Sequence, residues 1–450
     1  MPIFHHRSYA RSLRAGFTAL LLGLAVTTPA WSQQTTAGKK ELSEKVSEEL
    51  GKIRTQTDAK NYDAAIAIID GLLKGAAPES YDIAVLSQVK AQILLTKGDY
   101  AKSIEPLETA LLVSDRHGYF EARVIQDLTY YLAQLYYQEA STTKVLDSQK
   151  KFYAKASTYI ERWTKANTKP NPDAQLFYAS LLYNQAQLDP ANVDNNLIKR
   201  AQEEVEKGLR MSLKPKDTFY ILLLATLQQQ SQIKESADIL ELLVKQNPSN
   251  KTYWAQLAST YLNLQQDIRA ALTIERAQKN DTMNTPKDNF NLVGIYFNMQ
   301  QYDQAIALLD KGLRDGSIEN EQRNWELLAA SLQQVRKEFK AIEVLKEATK
   351  FFPESGSLYL QIAQIYYSLD KLPESYTYAK QATVKKLDKP WQAQTFLAYI
   401  CYELKKLDEA LAAITQSLKY PEGGKDAERL KKAIEDAIKE REALANSPAA

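Results

Sequence analysis

Apolar residues with helical spacing, interrupted by one short polar run, most restrict how this chain can fold. Between residues 253 and 278, apolar or small side chains recur three, four or seven positions apart, which places them on one side of an α-helix. The polar run NLQQD divides them into two sets. The first set is Trp254, Leu257, Ala258 and Tyr261, and the second is Ala270, Ile274 and Ala277. The pattern predicts two antiparallel helices joined by a short turn.

The pattern recurs in six consecutive units of the C-terminal half, at spacings of about 34 residues. Small residues recur where the two helices of each unit should cross, because two backbones approach closely there. These residues are Ala258, Ala329, Ala363 and Ala398 in the first helices, and Ser236, Ala270, Ala305, Ala341, Ser375 and Ala410 in the second helices. A helix–turn–helix repeat with this period and these small residues is typical of the tetratricopeptide repeat.

The N-terminal half carries the same template less regularly. Ala156 and Ala201 hold equivalent positions but lie 45 residues apart, so insertions such as QLDPANVDNN interrupt the period. Only 15 glycines and 15 prolines occur in 450 residues, which leaves little turn chemistry for a β-rich fold. We therefore predict an all-α fold: a tetratricopeptide-type right-handed α–α superhelix, or solenoid, of about ten helix pairs with a C-terminal capping helix.

This prediction divides the chain by the regularity of its repeats. Irregular repeats are predicted at 45–215 and regular repeats at 216–422. After Gly423 and Gly424, apolar residues at helical spacing predict a capping helix over 423–444, followed by a tail at 445–450.

The N-terminus has the features of a secretory signal peptide. Arg7, Arg11 and Arg14 precede an apolar stretch, Ala15–Val26, and small residues flank Trp31 before Gln33. We predict a signal peptide at 1–32, a flexible segment at 33–44 and a periplasmic mature protein. A mitochondrial transit peptide and an uncleaved anchor are the alternatives, although the apolar stretch is shorter than the ~20 residues of a membrane span. After signal cleavage, no segment is predicted to cross a membrane.

The balance of charge argues against a nucleic acid as partner. The chain has 57 basic and 55 acidic residues, and removal of the three signal-peptide arginines leaves a net charge near zero. Neither a small-molecule substrate nor a cofactor is predicted, since the sequence contains no glycine-rich phosphate loop. His117 is the only histidine of the mature chain and Cys401 its only cysteine, so a metal cluster built from these residue types is excluded. We predict that the chain is not an enzyme, that Cys401 is buried and that His117 lies in a solvated loop.

The first helix of each unit should offer a row of positions to a partner, because first helices line the groove of such arrays. These positions hold amides and aromatic rings: Gln228, Gln229, Gln256, Asn263, Asn291, Asn298, Gln333, Gln334, Gln361, Gln364, Tyr367, Tyr399 and Tyr402. Amides can bond to a peptide backbone and tyrosine rings can stack on prolines, so the row suits an extended, weakly charged protein segment. The alternative is that the amides only solvate an inner helical surface.

Several segments, taken in order, resemble one family. They are YIERWTKANTKPNPDAQLFYASLLYNQ, YWAQLASTYLNL, KGLRDGSIENEQRNWELLAASLQQ and GSLYLQIAQIYYSLDK. With the signal peptide, they resemble the periplasmic tetratricopeptide proteins associated with TonB energy-transduction systems of Gram-negative bacteria. The resemblance implies a non-enzymatic accessory of a TonB–ExbB–ExbD-type complex, which powers uptake through outer-membrane transporters. The alternative is an adaptor that recruits enzymes of cell-wall or exopolysaccharide assembly.

Overall fold

A computed structural model of the chain describes residues 40–445. The predicted signal peptide at 1–32 lies outside the described residues, as do positions 33–39 and 446–450. Clustering of contacts separates two compact units, with unit 1 ending at Ile239 and unit 2 beginning at Leu240. Within residues 40–445, no helix combines the length and apolar character required to cross a bilayer.

The described residues form twenty-one α-helices and no β-strand, which confirms the predicted all-α repeat fold. The helices are α1 Glu44–Asp58, α2 Tyr62–Gly75, α3 Tyr81–Lys97, α4 Tyr100–His117, α5 Ala122–Thr142, α6 Leu146–Ala166, α7 Pro172–Ala186, α8 Asn195–Arg210, α9 Asp217–Gln229, α10 Ile233–Gln246, α11 Lys251–Asn263, α12 Asp267–Lys279, α13 Pro286–Asn298, α14 Tyr302–Asp315, α15 Gln322–Gln334, α16 Glu338–Phe351, α17 Gly356–Ser368, α18 Leu372–Thr383, α19 Pro390–Glu403, α20 Leu407–Ser417 and α21 Gly424–Ala445. A short 3₁₀ turn, Pro421–Gly423, precedes α21.

Helices α1 to α20 follow one another as ten pairs, and we call the odd-numbered member of each pair its first helix and the even-numbered member its second helix. The two helices of a pair meet at the predicted small residues. In α15 and α16, Ala329 and Ala341 are fully buried. In α17 and α18, the Ser375 hydroxyl donates a hydrogen bond to the Ala363 carbonyl at 2.7 Å. A side-chain hydroxyl reaches the partner backbone in this way only when the two helices are in close contact.

The turn inside a pair uses a left-handed residue that is not glycine in most of the repeats. Its φ lies between 55° and 60° at Ser231, Gln265, Gln300, Arg336, Asp370 and Lys405. The following backbone N–H donates to a carbonyl five residues earlier, as from Gln266 to Tyr261 at 2.9 Å. This is the Schellman arrangement, and it ends the first helix and reverses the chain within three residues.

Unit 1 departs from the regular repeat mainly in helix length. Helices α5 and α6 have 21 residues each, whereas first helices α11, α13, α15 and α17 of unit 2 have 13. Positions 187–194 of the QLDPANVDNN insertion form the connection between α7 and α8, and its last two residues, Asn195 and Asn196, begin α8. Ala156 and Ala201 are fully buried despite the irregular spacing between them. The template therefore keeps its packing positions, and the extra residues lengthen helices and loops.

Helix α21 covers the end of the array in unit 2. Ala427 and Ile434 are fully buried against Ala398, Cys401 and the α20 residues beside them, and Leu430 and Ile438 pack partly against the same cluster. The Arg441 guanidinium also makes two hydrogen bonds to the Asp408 carboxylate, at 3.0 and 3.1 Å. Without this helix, the apolar outer surface of the last pair would face water.

Replacing the three apolar residues of α21 that pack on this cluster through large side chains tests the capping role. We expect the Leu430→Ala, Ile434→Ala, Ile438→Ala variant to lose at least about 3 kcal/mol of unfolding free energy, because buried aliphatic contacts are removed. Urea unfolding followed by circular dichroism measures it. The matched control replaces the exposed residues Lys432, Asp436 and Lys439 by alanine on the same helix. Equal midpoints for the two variants would contradict the capping role.

Enlarging a side chain at a helix crossing tests the packing within a pair. We expect Ala363→Leu to destabilise the protein by ~1–3 kcal/mol, because the added carbons have no space between α17 and α18. The control is Ala330→Leu, since Ala330 is exposed on α15. The urea midpoints of the two variants are compared. Equal decreases in midpoint would show that crowding at the helix crossing does not cause the destabilisation of Ala363→Leu.

Candidate binding surface

The predicted amide and aromatic residues of unit 2 lie on its first helices, between the residues that those helices bury. We call this surface the first-helix face of unit 2. Its exposed members are Asn263, Asn291, Asn298, Gln333, Gln334 and Gln364, and its half-buried members are Gln361, Tyr367, Tyr399 and Tyr402. Gln256 is also exposed on α11, and Gln228 and Gln229 are exposed at the end of α9 in unit 1.

Most of these amides keep their hydrogen-bonding groups available. The Gln333 side chain contacts the carbonyl of Ala329 in its own helix, at a long 3.5 Å. The other seven predicted amides of unit 2 make no side-chain hydrogen bond to another residue of the described range: Gln256, Asn263, Asn291, Asn298, Gln334, Gln361 and Gln364. Each carries two N–H donors and a carbonyl acceptor. The face can therefore bond to an extended backbone without first breaking bonds within the protein.

The structure brings Tyr367 and Tyr399 together and adds a third ring that the sequence pattern did not single out. The Tyr367 hydroxyl donates to the Tyr399 hydroxyl at 3.0 Å, and their ring centroids lie 5.6 Å apart. Phe396, one helical turn before Tyr399, packs edge-to-face on Tyr367 at 5.9 Å. We call Tyr367, Phe396 and Tyr399 the aromatic cluster. It joins first helices α17 and α19.

Tyr402 has a different environment from the aromatic cluster. Its ring packs partly against the core beneath α19 and α20, and the Lys405 ammonium lies 5.6 Å from its ring centroid. Tyr367 lies near negative charge, and no cation from the described residues lies over its ring. Its hydrogen bond to Tyr399, its partial burial and the nearby carboxylates raise its pKa to about 12. The predicted set of three tyrosines therefore separates into a joined pair and a third ring that carries its own cation.

A polar network that includes a carboxylate joins α15 to α17 beside the predicted row. The Gln322 amide donates to Glu326 and to Ser357, both at 2.8 Å, and the Ser357 hydroxyl donates to Glu326 at 2.9 Å. Glu326 was absent from the predicted row because one carboxylate beside buried residues has no distinctive spacing. The three side chains share their hydrogen bonds across two neighbouring helices, which holds Glu326 half-buried.

A second charged contact joins α11 to α13. The Lys251 ammonium donates to the Asp288 carboxylate at 2.7 Å, and Asp288 also caps its own helix by bonding with Thr285. Burial acts to raise the pKa of Asp288, but the bonds from Lys251 and Thr285 outweigh it and lower the pKa. Polar contacts thus link α11 to α13 and α15 to α17 in unit 2.

Three first helices of unit 1, α3, α5 and α7, expose little of their surface. No residue is exposed over positions 81–95 of α3, 124–141 of α5 or 174–186 of α7. Helices with so little exposed surface have few positions available to a partner. The exposed amides of the described first helices are accordingly concentrated in unit 2 and at the end of α9.

The predicted environment of Cys401 is confirmed, whereas that of His117 is wrong. Cys401 is fully buried, and burial raises the pKa of its thiol to about 11. His117 is the last residue of α4, because the helix continues until Gly118 ends it with a φ of 66°. The imidazole Nε2 lies 3.0 Å from the Glu79 carboxylate, and its ring stacks on Tyr119. Among residues 40–445, no group of three or more metal-ligating side chains is assembled.

No protein-family model and no curated protein matches the chain. Solved structures show similarity to it. MamA from Desulfovibrio magneticus RS-1 is 15% identical, with 39% of this chain and 96% of that chain covered and a TM-score of 0.30. PilF from Pseudomonas aeruginosa is 18% identical, with 48% of this chain and 95% of that chain covered and a TM-score of 0.30. A tetratricopeptide repeat protein from Parabacteroides merdae is 14% identical, with 57% and 98% covered and a TM-score of 0.28. Likeness at these scores carries no argument about function.

Removing one hydroxyl tests the network between α15 and α17. We expect Ser357→Ala to lower the unfolding free energy by about 1 kcal/mol, because Gln322 and Glu326 lose a partner in a half-buried position. The control is Ser259→Ala, which removes an exposed serine of α11. A double-mutant cycle with Gln322→Ala isolates the shared bond, and a coupling energy near zero would show that the network does not stabilise this face.

Proposed function

We propose that this chain is a non-enzymatic scaffold of the periplasm that holds an extended segment of a partner protein on the first-helix face of unit 2. The observation that carries the proposal is the set of amides without protein partners beside the half-buried aromatic cluster. Amides satisfy the backbone of an extended segment, and exposed ring faces give contact area at low entropic cost.

The partner that we propose is a component of a TonB–ExbB–ExbD-type system. Two sequence observations support this choice: the signal-like residues 1–32, and the ordered segments that resemble the periplasmic tetratricopeptide proteins of such systems. A proline-rich segment is the most suitable ligand, because its extended conformation is already formed before binding and tyrosine rings pack well on proline.

Affinity capture from a periplasmic extract tests the function and the location together. The full chain, with its own N-terminus and a C-terminal tag, is expressed in a Gram-negative host that carries a TonB system. We expect it in the periplasmic fraction, with a TonB-system component captured and identified by mass spectrometry. Replacing Tyr367 and Tyr399 together by alanine should weaken binding of that component at least about thirtyfold, since aromatic anchors each contribute on the order of 1–2 kcal/mol.

The control variant is Phe339→Ala, which removes an exposed aromatic ring from second helix α16. Circular dichroism checks that both variants stay folded. Equal capture by the double variant would place the binding surface elsewhere, and capture of glycan-assembly enzymes without a TonB-system component would favour the adaptor function.

A further inference from the structure

Aromatic rings in unit 2 repeatedly carry a cation from the chain itself. Lys346 lies 5.3 Å from the ring centroids of both Tyr366 and Tyr378, and Lys406 lies 3.7 Å from that of Tyr376. Other examples are Arg269 on Tyr261, Arg276 on Trp254 and Lys405 on Tyr402. Such placement is favourable because the negative face of a ring attracts a positive charge.

The aromatic cluster differs, because no cation from residues 40–445 lies over its three rings. Tyr367 meets Tyr399 at an interplanar angle of 76° and Phe396 at 83°. Rings set nearly at right angles turn their faces in different directions around a shared corner. All three rings are half-buried, so part of each remains open to a ligand. Perpendicular aromatic rings are the arrangement that encloses alkylammonium groups in proteins.

Two carboxylates border the cluster. Glu403 lies one helical turn beyond Tyr399 on α19, and Asp370 occupies the left-handed position of the turn that follows α17. Both are exposed, and neither makes an ion pair within 4 Å of any described basic residue. Lysines near them in sequence have other contacts: Lys371 lies 3.8 Å from Glu374, and Lys405 lies on Tyr402.

The two carboxylates therefore give this corner negative charge that no ion pair within 4 Å neutralises among the described residues. This negative charge acts on the Tyr367 hydroxyl. The Tyr399 hydrogen bond and burial raise the pKa of Tyr367, and the charges of Glu403 and Asp370 raise it further. A cation placed at the corner would meet ring faces and two carboxylates together. A neutral side chain would gain only the apolar contact.

We infer that the aromatic cluster, with Asp370 and Glu403, binds one lysine or arginine side chain of the partner segment. The inference rests on the proposed function for the presence of that segment, and it adds the charge the segment must carry. The extended segment lies along the amides of α15 and α17, and its single basic side chain enters the corner between α17 and α19.

Fluorescence anisotropy with three labelled peptides on the full chain tests the inference. Each peptide has nine residues of proline and glutamine in one fixed order, and the central residue is lysine, arginine or norleucine. We expect the lysine and arginine peptides to bind roughly three- to tenfold more tightly than the norleucine peptide. Tyr399→Ala and Glu403→Gln should each reduce this ratio towards one, whereas Phe339→Ala should leave it unchanged.

Tyr399→Phe keeps the ring and should retain most of the preference, which separates loss of the ring from loss of fold. Equal affinity for all three peptides, lost in Tyr399→Ala, would overturn the cation site while leaving the proposed binding face intact. If none of the peptides binds, the result counts against both the cation site and the proposed binding face. NMR can also follow binding of tetramethylammonium at the Tyr399 ring. If this cation binds there but the three peptides bind equally, the corner is a site for a free cation and the inference is overturned.

Discussion

The close approach of two helix backbones within each pair is the constraint on which the rest of this structure depends. It requires alanine or serine where the helices cross, and the bond from Ser375 to the Ala363 carbonyl shows how little space remains. Glycine meets a similar constraint where a second helix packs against the loop after it. At Gly312, a Cβ atom would lie 2.5 Å from the Ile318 side chain. In the regular repeats, the two helices of a pair are joined by a very short turn.

That turn explains why polar residues hold the left-handed positions of the regular repeats. A left-handed backbone costs roughly 1–2 kcal/mol for a residue with a Cβ. Gln265, Gln300 and Asp370 adopt it nonetheless, because the Schellman hydrogen bonds and the packing of the two helices outweigh that cost. These positions are thus polar because they are exposed to solvent, and they are left-handed because the two packed helices of the pair require it. The sequence rule that assigns such positions to glycine would have missed them.

Sequence reasoning could predict most of the fold, because it depends on short-range periodicity. Trp254, Leu257 and Ala270 are buried as their spacing predicts, and the ten pairs arise from repetition of that spacing. Features formed between helices were harder to predict. Phe396 meets Tyr367 across 29 positions of sequence, and Glu326 meets Ser357 across 31. Neither contact leaves a local pattern, since each depends on how one pair packs on the next.

The candidate surface illustrates the same division. The amides of the first helices could be identified by their position between buried residues, and the structure leaves most of them exposed and without protein partners. Their grouping could not be predicted from the same rule. The part of the face between α15 and α17 carries the Glu326 network, and the part between α17 and α19 carries three rings with carboxylates beside them. A face that the sequence presents as a uniform polar row is therefore divided into parts with different chemistry.

The position of the aromatic cluster relative to the end of unit 2 has a thermodynamic consequence. In a stacked array each pair is supported by its neighbours, so opening begins at the ends and proceeds inward. Of the described α-helices, only α20 and α21 come after the helix that carries Phe396 and Tyr399, which places two of the three rings of the cluster near the end where opening begins. A ligand bound to the closed form alone would stabilise that region by mass action. Ligand binding at the cluster and folding of the C-terminal helices would then be coupled, so that an increase in one increases the other.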